Sequence, residues 1–226
     1  MPARQRQPVA AARRRMIRTT FIVGAAAVAA AIAIAVIHWS TATPPTPPLV
    51  RQPAAPTSGK MMGSATARVT IEVFSDFLCS HCADFTVQVE PAIIADYVKP
   101  GTARLVYRHF PVIAPLSVTA AAASECAADQ QQFWAYHDEL FARVTRGALR
   151  TAGDLDATAR KVGLDQAKFT ECLRGSAARD RVETDRSDGE RRGVRGTPTS
   201  FINGEPVAGA QPIEVFRGAI ETALKR

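Results

Sequence analysis

The sequence predicts an α/β fold with a helical insertion, behind an N-terminal membrane-anchor or signal segment. Three observations carry this. The folded part opens strand–helix–strand, continues through a helical block, and closes with a hairpin and a helix. A Cys-x-x-Cys pair falls at the first strand-to-helix junction. An apolar run, flanked by arginines on one side and prolines on the other, precedes everything. Strand followed by helix and strand is the pattern of a sheet covered by helices.

Of 28 Lys and Arg, six are arginines within residues 1–39, where there is no acid. The remainder is nearly neutral, so the basic excess is local and does not describe a nucleic-acid face. Residues 1–20 read as a basic cytoplasmic tail. Residues 21–39 follow as a transmembrane anchor or signal h-region; the uncharged run 21–37 spans roughly 25 Å as a helix, near the short end for crossing a bilayer. An anchor is favoured over cleavage near "STA", residues 40–42. With the arginines on the cytoplasmic side, either reading places the rest outside the cytoplasm, at the membrane or secreted into the periplasm. Residues 40–64 read as a Pro-rich linker: six prolines in residues 41–60 favour a stiff spacer. The folded unit is expected over 65–226, with an insertion at about 114–188.

Within that unit, "RVTIEVFS" (68–75) reads as a buried strand. "ADFTVQVEPAIIADYV" follows as a helix that Pro91 kinks or divides. "ARLVYRHFPV" (103–112) is the second strand. "LSVTAAAASECAADQ" and "QFWAYHDELFARV" are rich in helix formers. "DLDATARKVG" and the charged run from Leu164 to Arg192 read as further helices, the last increasingly solvated. "TPTSFING" ends in the turn pair Asn203-Gly204, and "EPVAGA" is the partner strand. The chain closes in an amphipathic helix with Val215, Phe216, Ile220 and Leu224 on one side.

The cysteines carry the chemistry. Cys79 and Cys82 form one pair, while Cys126 and Cys172 stand apart in the insertion. A zinc site needs four ligands, and His81 between the two cysteines is badly placed to join them on one ion, so no metal is expected. A buried, inert pair is the plain alternative. The redox reading places Cys79 at a helix N-terminus, where free N–H groups favour a thiolate. Cys82, one turn on, resolves a mixed disulfide. His81 is expected to lower the Cys79 pKa through its imidazole; its plain reading is an exposed helix residue. Cys126 and Cys172 are expected to be bonded as a structural clip, with a second redox pair as the alternative.

These fragments together resemble the DsbA-like thiol–disulfide oxidoreductases, in their membrane-tethered or secreted bacterial form. The resemblance rests on "VFSDFLC", Cys79-Ser80-His81-Cys82, "RLVYRHFP", "ECAADQQQFWAYHDELF" and "GVRGTPTSFING", and it covers residues 66–226. It implies a thioredoxin fold with a helical insertion. It also implies that Pro198, after Thr197, is cis and faces the active cysteines, with the Thr197 backbone pairing with the client chain. Without it, Pro198 reads as a trans proline opening an edge strand. The sequence departs from the family in two respects: Ser80 replaces the usual proline of the motif, and the place of the usual buried acid beneath the motif is held by Val73. Strand neighbours face opposite ways, so either Glu72 faces away and the acid is missing, or a one-residue shift restores it. Asp76 is expected to shape a local turn or cap.

The resemblance implies a monomer, without cofactor, that donates disulfides to reduced exported proteins. It would be reoxidised by a membrane partner of DsbB-like or vitamin K epoxide reductase-like type. A disulfide isomerase or reductase is one alternative; a tethered, non-catalytic chaperone is another. No phosphate-binding glycine loop and no basic-aromatic stripe points elsewhere.

Overall fold

The computed structural model describes residues 55–226. The basic tail and the expected anchor, 21–39, lie outside the described residues. Among those described, no helix is long and apolar enough to cross a membrane.

A six-stranded mixed sheet forms the centre: β1 (Thr57–Ser58), β2 (Met61–Gly63), β3 (Val69–Ser75), β4 (Ala103–His109), β5 (Thr199–Ile202) and β6 (Glu205–Ala208), in the spatial order β1-β2-β4-β3-β5-β6. β3 takes the middle because Val69, Ile71 and Val73 bury one face while Phe74 fills the other. It pairs in parallel with β4 and antiparallel with β5. A parallel pair needs a long crossover, and the helix carrying the Cys-x-x-Cys pair supplies it.

The linker expected to reach residue 64 is corrected here. β1 and β2 already belong to the sheet, and Met62 is buried. Such short strands have no period to detect, and the prolines before them dominate the composition. Gly63 (φ +109°) lets β2 lie against the domain: a Cβ there would stand 2.9 Å from Ala103 O and from Val98 Cγ1.

The crossover helix is divided, as Pro91 predicts. α1 (Ser80–Asp84) leads into a π-helical turn (Phe85–Val89), then α2 (Glu90–Ile93), then a second π turn (Ile94–Val98). The wide first turn gives room where the Pro91 ring would meet the carbonyl four residues earlier. Cys82, Thr86, Glu90, Ile94 and Val98 are all buried. Positions four apart drift by about 40° per step around a regular α-helix. The π turns absorb that drift, so one buried stripe runs from Cys82 to Val98.

The insertion comprises α3 (Pro115–Asp129), α4 (Phe133–Thr145), α5 (Ala152–Lys161), α6 (Gln166–Arg174) and α7 (Ala177–Arg191). α3 packs against the other four, and its buried Ala120–Ala123 run permits close approach. α7 is less solvated than its composition suggests. Asp185 is buried against Arg108 and Lys60, and Gly189 lies so close to Phe110 and Phe74 that a Cβ would stand 2.8–2.9 Å from their rings. In α8 (Ile213–Lys225), Phe216 and Ile220 are buried, but Val215 is 44% exposed. Adjacent helical residues lie about 100° apart, and the core takes Phe216.

Candidate redox site

β3 ends at Ser75, and Asp76 makes the turn into the helix. Its carbonyl accepts from Cys79 N at 3.1 Å, and its Oδ1 accepts from Leu78 N at 2.8 Å. Its Oδ2 accepts from Val112 N at 2.7 Å and Ile113 N at 2.9 Å, tying the loop after β4 to the motif. This is the local turn role expected of Asp76. Phe77 is buried and stacks on Tyr107, ring centroids 5.2 Å apart.

Cys79 is the N-cap residue of α1, with extended backbone. Cys82 follows one turn on and is wholly buried; both are free thiols in this structure. Their environments push them apart. The hydrogen bond from the Cys82 thiol outweighs burial and lowers the Cys79 pKa to about 5. The Thr197 side chain and the backbone N–H groups of Cys82 and His81 add to that lowering. Burial, followed by the hydrogen bond to Cys79, pushes Cys82 the other way. One thiol is a ready thiolate near neutrality, and the other holds its proton.

The structure brings Thr197 and Pro198 to this pair, as the resemblance implied. The Thr197–Pro198 peptide is cis, and Cys79 Sγ donates to Thr197 O at 3.4 Å. Thr199 Oγ1 donates to Gly196 O at 2.7 Å and Gly209 N to Pro198 O at 2.8 Å, fixing the loop from both sides.

His81 departs from expectation. Its side chain is 76% exposed, with Nδ1 3.8 Å from Asp84 Oδ2. It reaches Cys79 through its backbone N–H, not its imidazole. Position 81 lies on the outer face of a helix whose inner face is given to Cys82, so the ring is left in solvent. Cys126 and Cys172 are bonded, Cα atoms 5.7 Å apart, joining α3 to α6. Among the described residues, no cysteine belongs to a cluster of potential metal ligands.

The acid question resolves by strand alternation. Val73 packs in the core with Cys79 and Cys82, whereas Glu72 accepts from Arg108 at 2.8 Å and pairs with Arg192 at 2.9 Å. The Ser75 side chain and the Asp76 backbone are the polar groups of this turn beside Cys82.

Sequence reasoning missed two buried polar clusters. In one, His109 Nε2 lies 3.0 Å from Glu125 Oε1, Lys60 Nζ 2.6 Å from the same oxygen, and Arg181 Nε 2.6 Å from Oε2; Lys60 also pairs with Asp185. Burial, followed by the Lys60 charge, pushes His109 down. In the other, His137 Nδ1 meets Asp138 Oδ1 at 2.9 Å, with Glu90 beside them. The Tyr107 ring lies 5.2 Å from His137, and burial pushes its phenol up. One signal was available: alternation along β4 places His109 on the inward face with Leu105 and Tyr107.

A dithiol at a helix N-terminus, beside a central mixed sheet and a cis-proline loop, is the arrangement of the thioredoxin class. A family model described as thioredoxin matches residues 56–222, and the chain belongs to that family. The oxidised crystal structure of BdbD from Bacillus subtilis superimposes with a TM-score of 0.69 at 23% identity, over 75% of this chain and 94% of that one, so its fold is shared. The probable disulfide bond formation protein D of Bacillus anthracis is 27% identical over 172 residues, 73% of this chain and 78% of that protein. The Na(+)/H(+) antiporter NhaA 1 of Salinispora arenicola is 35% identical over 174 residues, 76% of this chain. The chain spans only 26% of that antiporter's length.

Proposed function

We propose that this chain donates disulfides to exported proteins through Cys79 and Cys82. The observation that carries the reading is the geometry of the pair: Cys79 at the helix N-terminus against the cis-proline loop and Cys82 wholly buried behind it, which pushes their acidities apart. A client thiolate attacks Cys79 Sγ of the Cys79–Cys82 disulfide, and Cys82 leaves as a thiolate and takes up a proton, as its raised pKa favours. A second client thiolate attacks the client sulfur joined to Cys79. The client leaves with a disulfide and Cys79 leaves as a thiolate, stable because its pKa is about 5. A stable thiolate stabilises the reduced enzyme and makes its disulfide oxidising. Thr197 O, 3.4 Å from Cys79 Sγ, stands where an extended client backbone would pair.

The disulfide bond formation name of the Bacillus anthracis relative supports this use. The N-terminal segment, read as a single-pass anchor, would hold the domain outside the cytoplasm. A DsbB-like or vitamin K epoxide reductase-like membrane partner would remove two electrons, with loss of the Cys82 proton, to restore the disulfide. Cys126–Cys172 acts as a structural clip.

A redox titration tests the reading. A potential near −120 mV supports donation, whereas one near −270 mV, thioredoxin's range, identifies a reductase and overturns it. With Cys82→Ser, client adducts should accumulate on Cys79.

A further inference from the structure

Beside the Thr197–Pro198 loop lies a cavity of about 400 Å³. Arg192, Arg195, Thr197, Pro198, Phe201 and Pro206 are among its walls, and no acidic residue lines it. Its two arginines differ. Arg192 is neutralised by Glu72 at 2.9 Å and Asp188 at 3.4 Å, and its guanidinium lies 3.9 Å from the Phe201 ring centroid. Arg195 is exposed and makes no hydrogen bond or ion pair among the described residues. Residues 1–54 contain no Asp or Glu, so no acidic side chain from that segment can pair with it either. An unpaired guanidinium thus stands two residues before the carbonyl that meets Cys79.

Two residues of extended chain span at most about 7 Å, and an arginine side chain reaches nearly as far again. A client segment running along the Thr197 backbone with its cysteine at Cys79 would bring residues two to four positions away level with Arg195. The edge strand β6 contributes Pro206 and Ala208 to the wall of the same cavity. A carboxylate matches the planar donor fork of a guanidinium, whereas an ammonium is repelled by it.

We infer that Arg195 is a specificity residue, which selects client segments carrying Asp or Glu two to four residues from the reacting cysteine. The inference rests on the proposed disulfide donation and names a class of substrate for it. The contact is solvent-exposed, so its effect is modest: roughly threefold to fivefold in kcat/KM, exerted through KM.

The test uses the oxidised full chain and reduced single-cysteine peptides that differ only in bearing Glu, Gln or Lys three residues before or after the cysteine. Loss of peptide thiol is followed as mixed-disulfide formation. The expected order is Glu, Gln, Lys on at least one side of the cysteine. The Glu advantage should vanish in Arg195→Ala, reverse toward Lys in Arg195→Glu, and shrink in about 0.5 M salt. Equal rates for the Glu and Gln peptides on both sides, or a Glu preference that survives in Arg195→Ala, would overturn the inference while leaving disulfide donation intact. If no peptide reacts, donation itself fails and takes the inference with it.

Discussion

Glu72 Oε1 accepts from Arg108 at 2.8 Å on one face of β3, while the next residue, Val73, packs on the other face in the core that holds Cys82. One step along a strand separates a carboxylate from the place where a buried acid would serve the inner thiol. Glu72 is a member of an ion network with Arg108 and Arg192, linked through Arg108 to Asp185 on α7. Its work is to hold the insertion against the sheet. Glu72→Gln is therefore expected to cost about 1–2 kcal/mol of stability by urea unfolding, since it removes charge from a half-buried network. The Cys79 alkylation midpoint should stay near 5. A clear move of that midpoint would mean Glu72 acts on the thiols after all.

The pH profile of Cys79 is the second expectation. Its folded-state pKa, about 5, lies below its ordinary value of 9.0. A depressed pKa contributes stability that is fully present above the unfolded value and is lost as pH falls through the folded one. The reduced protein should therefore lose stability between pH 9 and pH 5, a trend the disulfide form lacks because its cysteines do not titrate. Rapid alkylation of the reduced protein should persist at pH 6 and fade below about 5. A midpoint near its ordinary value of 9.0 would sink the thiolate assignment.

The third expectation separates two neighbours of that thiolate. The Thr197 side chain lowers the Cys79 pKa, whereas His81 does so through its backbone N–H. Thr197→Val should raise the alkylation midpoint. His81→Gln keeps the backbone donor and should leave it near 5. The reverse pattern would show that the exposed imidazole governs the thiol, as the sequence suggested.

What the sequence made legible follows from periodicity. β3, β4 and the hairpin of β5 and β6 were readable because β-branched runs and an Asn-Gly turn mark them, and the first insertion helices because they are rich in helix formers. The outward side of Glu72 was readable from the two-residue period of a strand. The Thr197–Pro198 conformation was readable only through resemblance, since nothing in the residue types alone distinguishes it. The bond between Lys60 and Asp185, 125 residues apart, could not be read, because no local pattern encodes a contact made by the whole fold. β2 was missed for a related reason: three residues beside a Pro-rich stretch carry too little signal, and only pairing with β4 makes them a strand.

The fourth expectation concerns the second cysteine pair. Cys126 and Cys172 are 46 residues apart in sequence and bonded across α3 and α6. Closing a loop of that length restricts the unfolded chain by about 4 kcal/mol in the chain-entropy treatment. Replacing both residues with alanine should lower stability by roughly 2–4 kcal/mol, less than the full entropy figure where the helices relax into the space. A structural clip should leave the potential of Cys79–Cys82 unchanged in that variant, because neither Cys126 nor Cys172 is among the groups that set the acidity of either active thiol. A shifted potential, or a Cys126–Cys172 bond that opens and closes with client turnover, would make it a second redox pair instead.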